Sequence, residues 1–134
     1  MSDNQLPEGD PGRFEAVMGF HLEVWEPNFC RFRVQLGVQH MNRQGRPHGG
    51  VVSALIDSAG MFAGNKDPDG ERRRKAVTVS MSCNFIGAAK GGELVCEGRV
   101  LKRGRSTFFS EARLFDGTDG PLLASGQGAY KFLE

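Results

Sequence analysis

Asp57 stands inside VVSALIDSAGMFAGN, the most apolar stretch of a 134-residue chain. An uncompensated buried charge is expensive, so a carboxylate placed there needs a partner or a raised proton affinity. Either solvent or a hydrogen-bond donor on a neighbouring element satisfies it, or it sits in an apolar cleft as a general base or nucleophile. Its company bears on the choice. His48-Gly49-Gly50 precedes it. At the start of a helix these residues would offer unpaired N–H groups and a partial positive charge to an oxyanion, with no side chain at Gly49 to block a carbonyl. The plain alternative is a turn that uses glycine's torsional freedom. Gly49 and Asp57 are eight residues apart. In a helix that is about 12 Å of rise, with the two on different sides. Donor, carbonyl, water and base must lie in successive contacts of ~3 Å, so one chain cannot supply both to the same carbonyl. Two helices packed antiparallel in a two-fold dimer, small-residue faces together, would bring Gly49 of each copy to Asp57 of the other.

The elements that must position these groups show in the periodicity. Arg13 to Met18 suggests a short helix. Phe20, Leu22 and Val24 alternate with His21, Glu23 and Trp25, and Cys30, Phe32, Val34 and Leu36 alternate with Arg31, Arg33 and Gln35. These are two strands of a hairpin turned at Pro27-Asn28. The long helix follows His48, with Val51, Val52, Leu55, Ile56, Ala59, Phe62 and Ala63 at three-to-four-residue spacings. Gly50, Ser53, Ala54, Gly60, Met61 and Gly64 share a face with Asp57. Small residues there admit the close approach of another backbone or a ligand, and Gly64-Asn65 predicts a left-handed C-cap. Val77, Val79, Met81, Cys83 and Phe85 alternate with Thr78, Ser80, Ser82 and Asn84 in the cleanest strand pattern. Further strands are expected near 93–102, 106–115 and 122–133. Strand, strand, helix and four strands make an α+β fold, a largely antiparallel sheet on one central helix.

Composition sets the limits. A single domain over residues 13–134 is expected, after a flexible segment over 1–12 that is rich in proline, glycine, acids and amides. Net charge is +1, with 39% hydrophobic and 25% charged residues. No global field draws nucleic acid or a membrane surface, and the ERRRK run before Ala76 reads as a solvated turn. No apolar stretch is long enough to span a bilayer, and MSDNQLPEGDPG has neither the basic nor the apolar region of a secretion signal, so a cytoplasmic protein is expected. Cys30, Cys83 and Cys96 fall in apolar alternating runs, as core thiols do, and neither they nor the three histidines have metal-ligand spacing. No metal is expected. No GxSxG elbow is present, and Ser53 lies in a helical context.

The order Asn42, Gly45, His48-Gly49-Gly50 and Asp57, on a helix between a hairpin and antiparallel strands, resembles the hotdog-fold acyl-CoA thioesterases, in particular the phenylacetate-degradation (PaaI-like) group. AVTVSMSCNF is similar to the family strand that bears an active-site hydroxyl. The likeness runs from about residue 13 to 132. It implies a curved sheet of about six strands wrapped round the helix, a homodimer that pairs into a homotetramer, and hydrolysis of an acyl-CoA to a carboxylic acid and free coenzyme A, with no cofactor beyond the coenzyme A of the substrate. Gly49 would give the oxyanion N–H, with His48 and Asn42 shaping that site and the approach of water. Asp57 of the facing subunit would activate water or attack the thioester, and Thr78 stands where relatives often have serine. Arg103-Gly104-Arg105-Ser106 corresponds to a segment that touches coenzyme A. Met61, Phe62 and Phe85 are candidates for the acyl pocket. A hotdog hydratase or dehydratase, a non-enzymatic acyl-CoA-binding module and an interaction protein are the rival readings. The acyl group itself is not legible.

Overall fold

The computed structural model describes residues 12–69 and 72–133. Of the expected flexible segment only Gly12 falls among them, as the N-cap of α1 (Arg13–Met18). Then follow β1 (His21–Glu26), β2 (Phe29–Gln35), a 3-10 turn at Val38–His40, and α2 (Gly49–Gly64). The chain closes with β3 (Ala76–Phe85), β4 (Glu93–Arg103), β5 (Thr107–Phe115) and β6 (Leu122–Phe132). One six-stranded sheet runs in the order β1-β2-β4-β5-β6-β3, every neighbouring pair antiparallel. This is the hotdog arrangement, with α2 lying against the sheet.

Ten of the sixteen residues of α2 are buried, as expected of a helix that is apolar on most sides. Phe62 meets Phe32 and Trp25 edge-to-face, with ring centroids 5.5 Å and 6.2 Å apart. Each such aromatic burial stabilises the fold by about 2–3 kcal/mol. The thiols of Cys30 and Cys96 point up from the sheet and donate to the Ala59 and Leu55 carbonyls. The helix stops where predicted but not as predicted. Asn65 has φ −92°, not the left-handed conformation. The Trp25 indole instead takes up an end carbonyl, its Nε1 donating to the Phe62 oxygen at 3.0 Å.

That contact exists because β1 breaks its alternation. The register shifts between Leu22 and Val24, so Trp25 pairs with the buried Cys30 and Val24 with Arg31. A β-bulge turns every later side chain to the opposite face, which simple period-2 reading misses. A second bulge, between Thr78 and Ser80, does the same in β3. Thr78 is thereby set beside Tyr130 on the helix-facing side, while Val77 pairs with Lys131 on the outer side.

The small residues of α2 also serve a purpose other than the predicted one. A Cβ on Gly64 would lie 2.1 Å from the Phe108 ring, and one on Gly60 2.1 Å from the Tyr130 hydroxyl. Both glycines admit this chain's own sheet and are buried against it. They do not form a bare face for a second helix. Gly98 of β4 makes the matching concession, since its Cβ would stand 2.1 Å from the Ala59 carbonyl oxygen.

The outer face of β1, β2 and β4 carries charge. Arg33 binds Glu23 with its Nε and Glu93 with its Nη1, and Arg31 Nε meets Glu97 at 2.8 Å. The hydrogen bond from Arg33, aided by the charges of Arg33 and Arg31 and opposed by partial burial, holds the Glu23 carboxyl below its usual range. A depressed folded-state pKa contributes stability above the unfolded value near 4.5, and that contribution is lost as pH falls through the folded value. Glu23→Gln should therefore lower stability by ~0.5 kcal/mol at pH 7, the scale of a solvent-screened pair, and by progressively less below pH 4.5. Urea melts at the two pH values check this.

Candidate active site

The predicted site residues gather in two groups. The first surrounds the start of α2. His48 is the N-cap, and its Nδ1 accepts the Gly50 N–H at 2.8 Å, which leaves the proton of the neutral ring on Nε2. The His48 carbonyl takes the Val51 and Val52 N–H groups. The Gly49 N–H is left over: among the described residues no acceptor meets it. Asn42 holds the preceding loop, its Oδ1 accepting the Gln44 and Arg46 N–H groups at 2.9 Å and 3.1 Å. Its amide oxygen is thus committed to shaping the turn that delivers His48. Phe85, at the far end of β3, closes this group. A Cβ on Gly49 would come 3.7 Å from its ring.

The second group lies two turns further along α2. Asp57 is half-buried, and its Oδ1 accepts a hydrogen bond from the Thr78 hydroxyl at 2.8 Å. A hydrogen-bond donor on a neighbouring element, one of the two alternatives open for Asp57 from the sequence, is therefore present in Thr78. One oxygen of Asp57 takes this bond. Within one chain the Gly49 N–H and the Asp57 carboxylate stand apart, as the helical spacing requires, with β3 running from one to the other.

The thioesterase superfamily model matches residues 44–122, a span that includes both groups apart from Asn42. A mouse protein named acyl-coenzyme A thioesterase 13 is 33% identical over 103 residues, which are 76% of this chain and 70% of that protein. The chain belongs to the thioesterase superfamily. The crystal structure of zebrafish thioesterase superfamily member 2 is 28% identical and superposes with a TM-score of 0.78, covering 93% of this chain and 88% of that one. The E. coli PaaI protein of the phenylacetic acid degradation operon shares the fold, with a TM-score of 0.79 at 19% identity over 90% and 82% of the two chains. This PaaI-like hotdog protein is a thioester hydrolase.

The remaining predicted residues of this thioesterase are placed less uniformly. Met61 is half-buried one turn beyond Asp57, and Phe85 is exposed beside Gly49. Phe62 belongs to the core between Trp25 and Phe32 and is 5% exposed. Arg103 ends β4 with its guanidinium folded inward near the Phe108 and Phe132 rings, donating from Nη2 to Asn28 Oδ1 at 3.0 Å. Burial, and then the charge of Arg74, draw it below the usual arginine range, with Asp67 opposing. Gly104 N–H bonds the Thr107 carbonyl and the Ser106 carbonyl accepts from Phe132 N–H, which leaves Arg105 exposed at the tip. Nor is ERRRK a simple solvated turn. The Arg73 and Arg74 guanidinium carbons stand 5.5 Å and 3.7 Å from the centres of the Phe62 and Phe132 rings. Sequence reasoning passed over Tyr130, whose hydroxyl reaches α2 at Asp57. The signal was present in glycines set into a helix and a strand for no local reason.

Proposed function

We propose that this chain hydrolyses acyl-CoA thioesters, with each active site assembled from two copies. Gly49 N–H, supported by His48, receives the oxygen of the thioester carbonyl. Asp57 of the facing copy takes a proton from water as the water oxygen adds to the carbonyl carbon, or adds to that carbon itself. The oxyanion collapses, the C–S bond breaks, and the coenzyme A thiolate leaves and is protonated; with water as nucleophile this releases the carboxylic acid directly, and with Asp57 as nucleophile it leaves a mixed anhydride that water then cleaves to the acid and the free Asp57 carboxylate. A thioester carbonyl is activated enough that one carboxylate, one water and one helix terminus suffice.

The observation that carries the reading is the unpaired Gly49 N–H at one end of β3 and the Thr78-held Asp57 near the other. β3 is an edge strand, and Val77, Val79, Phe85 and Ile86 along it are exposed. A long apolar edge is a template for another strand. Antiparallel pairing of two β3 strands about a two-fold axis at Ser82 would set Ser80 against Asn84 and Phe85 against the Thr78–Val79 bulge. Each Phe85 would carry its Gly49 toward the Asp57 of the other copy. The edge strand, and not the packed glycines of α2, makes the contact in this arrangement. We further infer that such dimers pair into tetramers and that the enzyme works in the cytoplasm. Exposed Arg105 meets the phosphates of coenzyme A, Arg103 braces the turn from within, and Phe85 and Met61 flank the acyl group.

A panel of aromatic, medium-chain and long-chain acyl-CoAs assayed for released thiol tests this. Turnover on at least one class, with equimolar acid formed, is expected. Tight binding with no thiol released would make the protein a binding module, and loss of enoyl-CoA absorbance without thiol would make it a hydratase; either result removes the reading.

A further inference from the structure

Tyr130 of β6 is 1% exposed, and the chemistry above makes no use of it. Its ring is an ordinary core aromatic, stacked on Phe108 with centroids 5.0 Å apart and planes 16° from parallel. Its hydroxyl is not ordinary. It crosses to the middle of α2 and donates to the backbone carbonyl oxygen of Asp57 at 3.3 Å.

Two glycines clear the way for that oxygen. A Cβ on Gly60 would stand 2.1 Å from it and one on Gly128 2.5 Å. Glycine inside a helix costs roughly 1 kcal/mol against alanine, and inside a strand it also weakens the element. The stacked, buried ring cannot swing aside for an added methyl, so both costs serve the same phenol. The strand ladder adds a further link. Tyr130 is the direct partner of Thr78, and Thr78 holds the carboxylate of Asp57 at 2.8 Å. Adjacent positions on two strands therefore grip one residue twice, by its backbone and by its side chain. Burial, and after it the charge of Asp57, push the Tyr130 hydroxyl well above the usual phenol range, so it remains a donor wherever the protein is folded.

We propose that Tyr130 is a positioning residue for the reaction, setting the height and rotation of the helical turn that bears Asp57 so that Thr78 holds one carboxylate oxygen and the other faces the thioester. This rests on the reading of Asp57 as the reacting carboxylate. The other hydrogen bonds from the sheet to the α2 backbone, from Cys96, Cys30 and Trp25, go to the Leu55, Ala59 and Phe62 carbonyls and not to Asp57, and the apolar contact around them has no direction. A hydrogen bond does, and a displacement near 1 Å at the reacting group can cost about 100-fold in rate.

Tyr130→Phe removes the hydroxyl and keeps the stacked ring. The expected result is a fall in kcat of about 5- to 30-fold with KM within about twofold of wild type. Thr78→Val should lower kcat as well, and the double variant should lose less than the product of the single losses, because the two hydroxyls fix one residue, by its backbone and by its side chain. A merely structural tyrosine would lower the melting temperature and leave both kcat and this coupling untouched. Gly60→Ala, whose methyl would push the Asp57 turn of α2 away from the unyielding ring while the hydroxyl is kept, should reproduce the kcat loss even if Tyr130→Phe is poorly folded. Wild-type kcat in a folded Tyr130→Phe, or strictly multiplicative losses with Thr78→Val, would overturn the proposal. Asp57→Asn is measured alongside. If it is inactive while Tyr130→Phe is normal, only the positioning role fails; if it is fully active, the reading of the site itself fails.

Discussion

Asp57→Asn should lower kcat on any accepted acyl-CoA by roughly 100- to 10,000-fold, the range supplied by a positioned general base, while the protein stays folded and associated. The amide has the shape of the carboxylate and can still accept the Thr78 hydroxyl, whose bond to Asp57 is 2.8 Å long. The cradle therefore survives and only the capacity to take a proton or attack a carbonyl is removed. Because Asp57 is half-buried, the neutral side chain carries no large desolvation penalty, so the loss should appear in kcat without a fall in melting temperature. Thiol release measured beside size-exclusion chromatography separates the two quantities. Turnover within threefold of wild type would strike Asp57 from the mechanism. A dead but dissociated protein would instead indicate that the carboxylate holds the copies together.

The sequence carried the fold because each element keeps one period over most of its length. The α2 pattern is helical throughout, and β2, β5 and β6 alternate cleanly, so their order and nearly all their ends could be read. What it did not carry were shifts of one residue. The bulge after Leu22 turns Trp25 inward to finish α2, and the bulge after Thr78 turns a hydroxyl toward Asp57. Neither has a glycine at the bulge to announce it. The separation of Gly49 and Asp57 along α2 was legible from their spacing. The environment of each candidate was not. Phe62 and Arg103 have residue types that suit a pocket and a phosphate, yet the core and an inner ring pair claim them. The glycines of α2 show the same ambiguity, since an absent side chain records that something comes close without saying what.

Gly49→Pro should separate the oxyanion donor from everything else at the start of α2. Gly49 is the first residue of the helix, the position where proline is preferred because its missing N–H has no helical partner. His48 already has φ −61° and ψ 141°, the extended conformation that a following proline requires. The fold should therefore tolerate the change. Catalysis should not, since removing one oxyanion donor costs about 100- to 1,000-fold in kcat. The same variant tests whether sites are shared. Gly49→Pro and Asp57→Asn proteins should each be nearly inactive alone. Unfolded together and refolded as a one-to-one mixture, half of the dimers contain one of each, and in those the intact Gly49 of one copy meets the intact Asp57 of the other at one site of two. Activity should return to about a quarter of wild type if donor and carboxylate come from different copies. If both came from one chain, every site would carry a defect and the mixture would be as inactive as its parts.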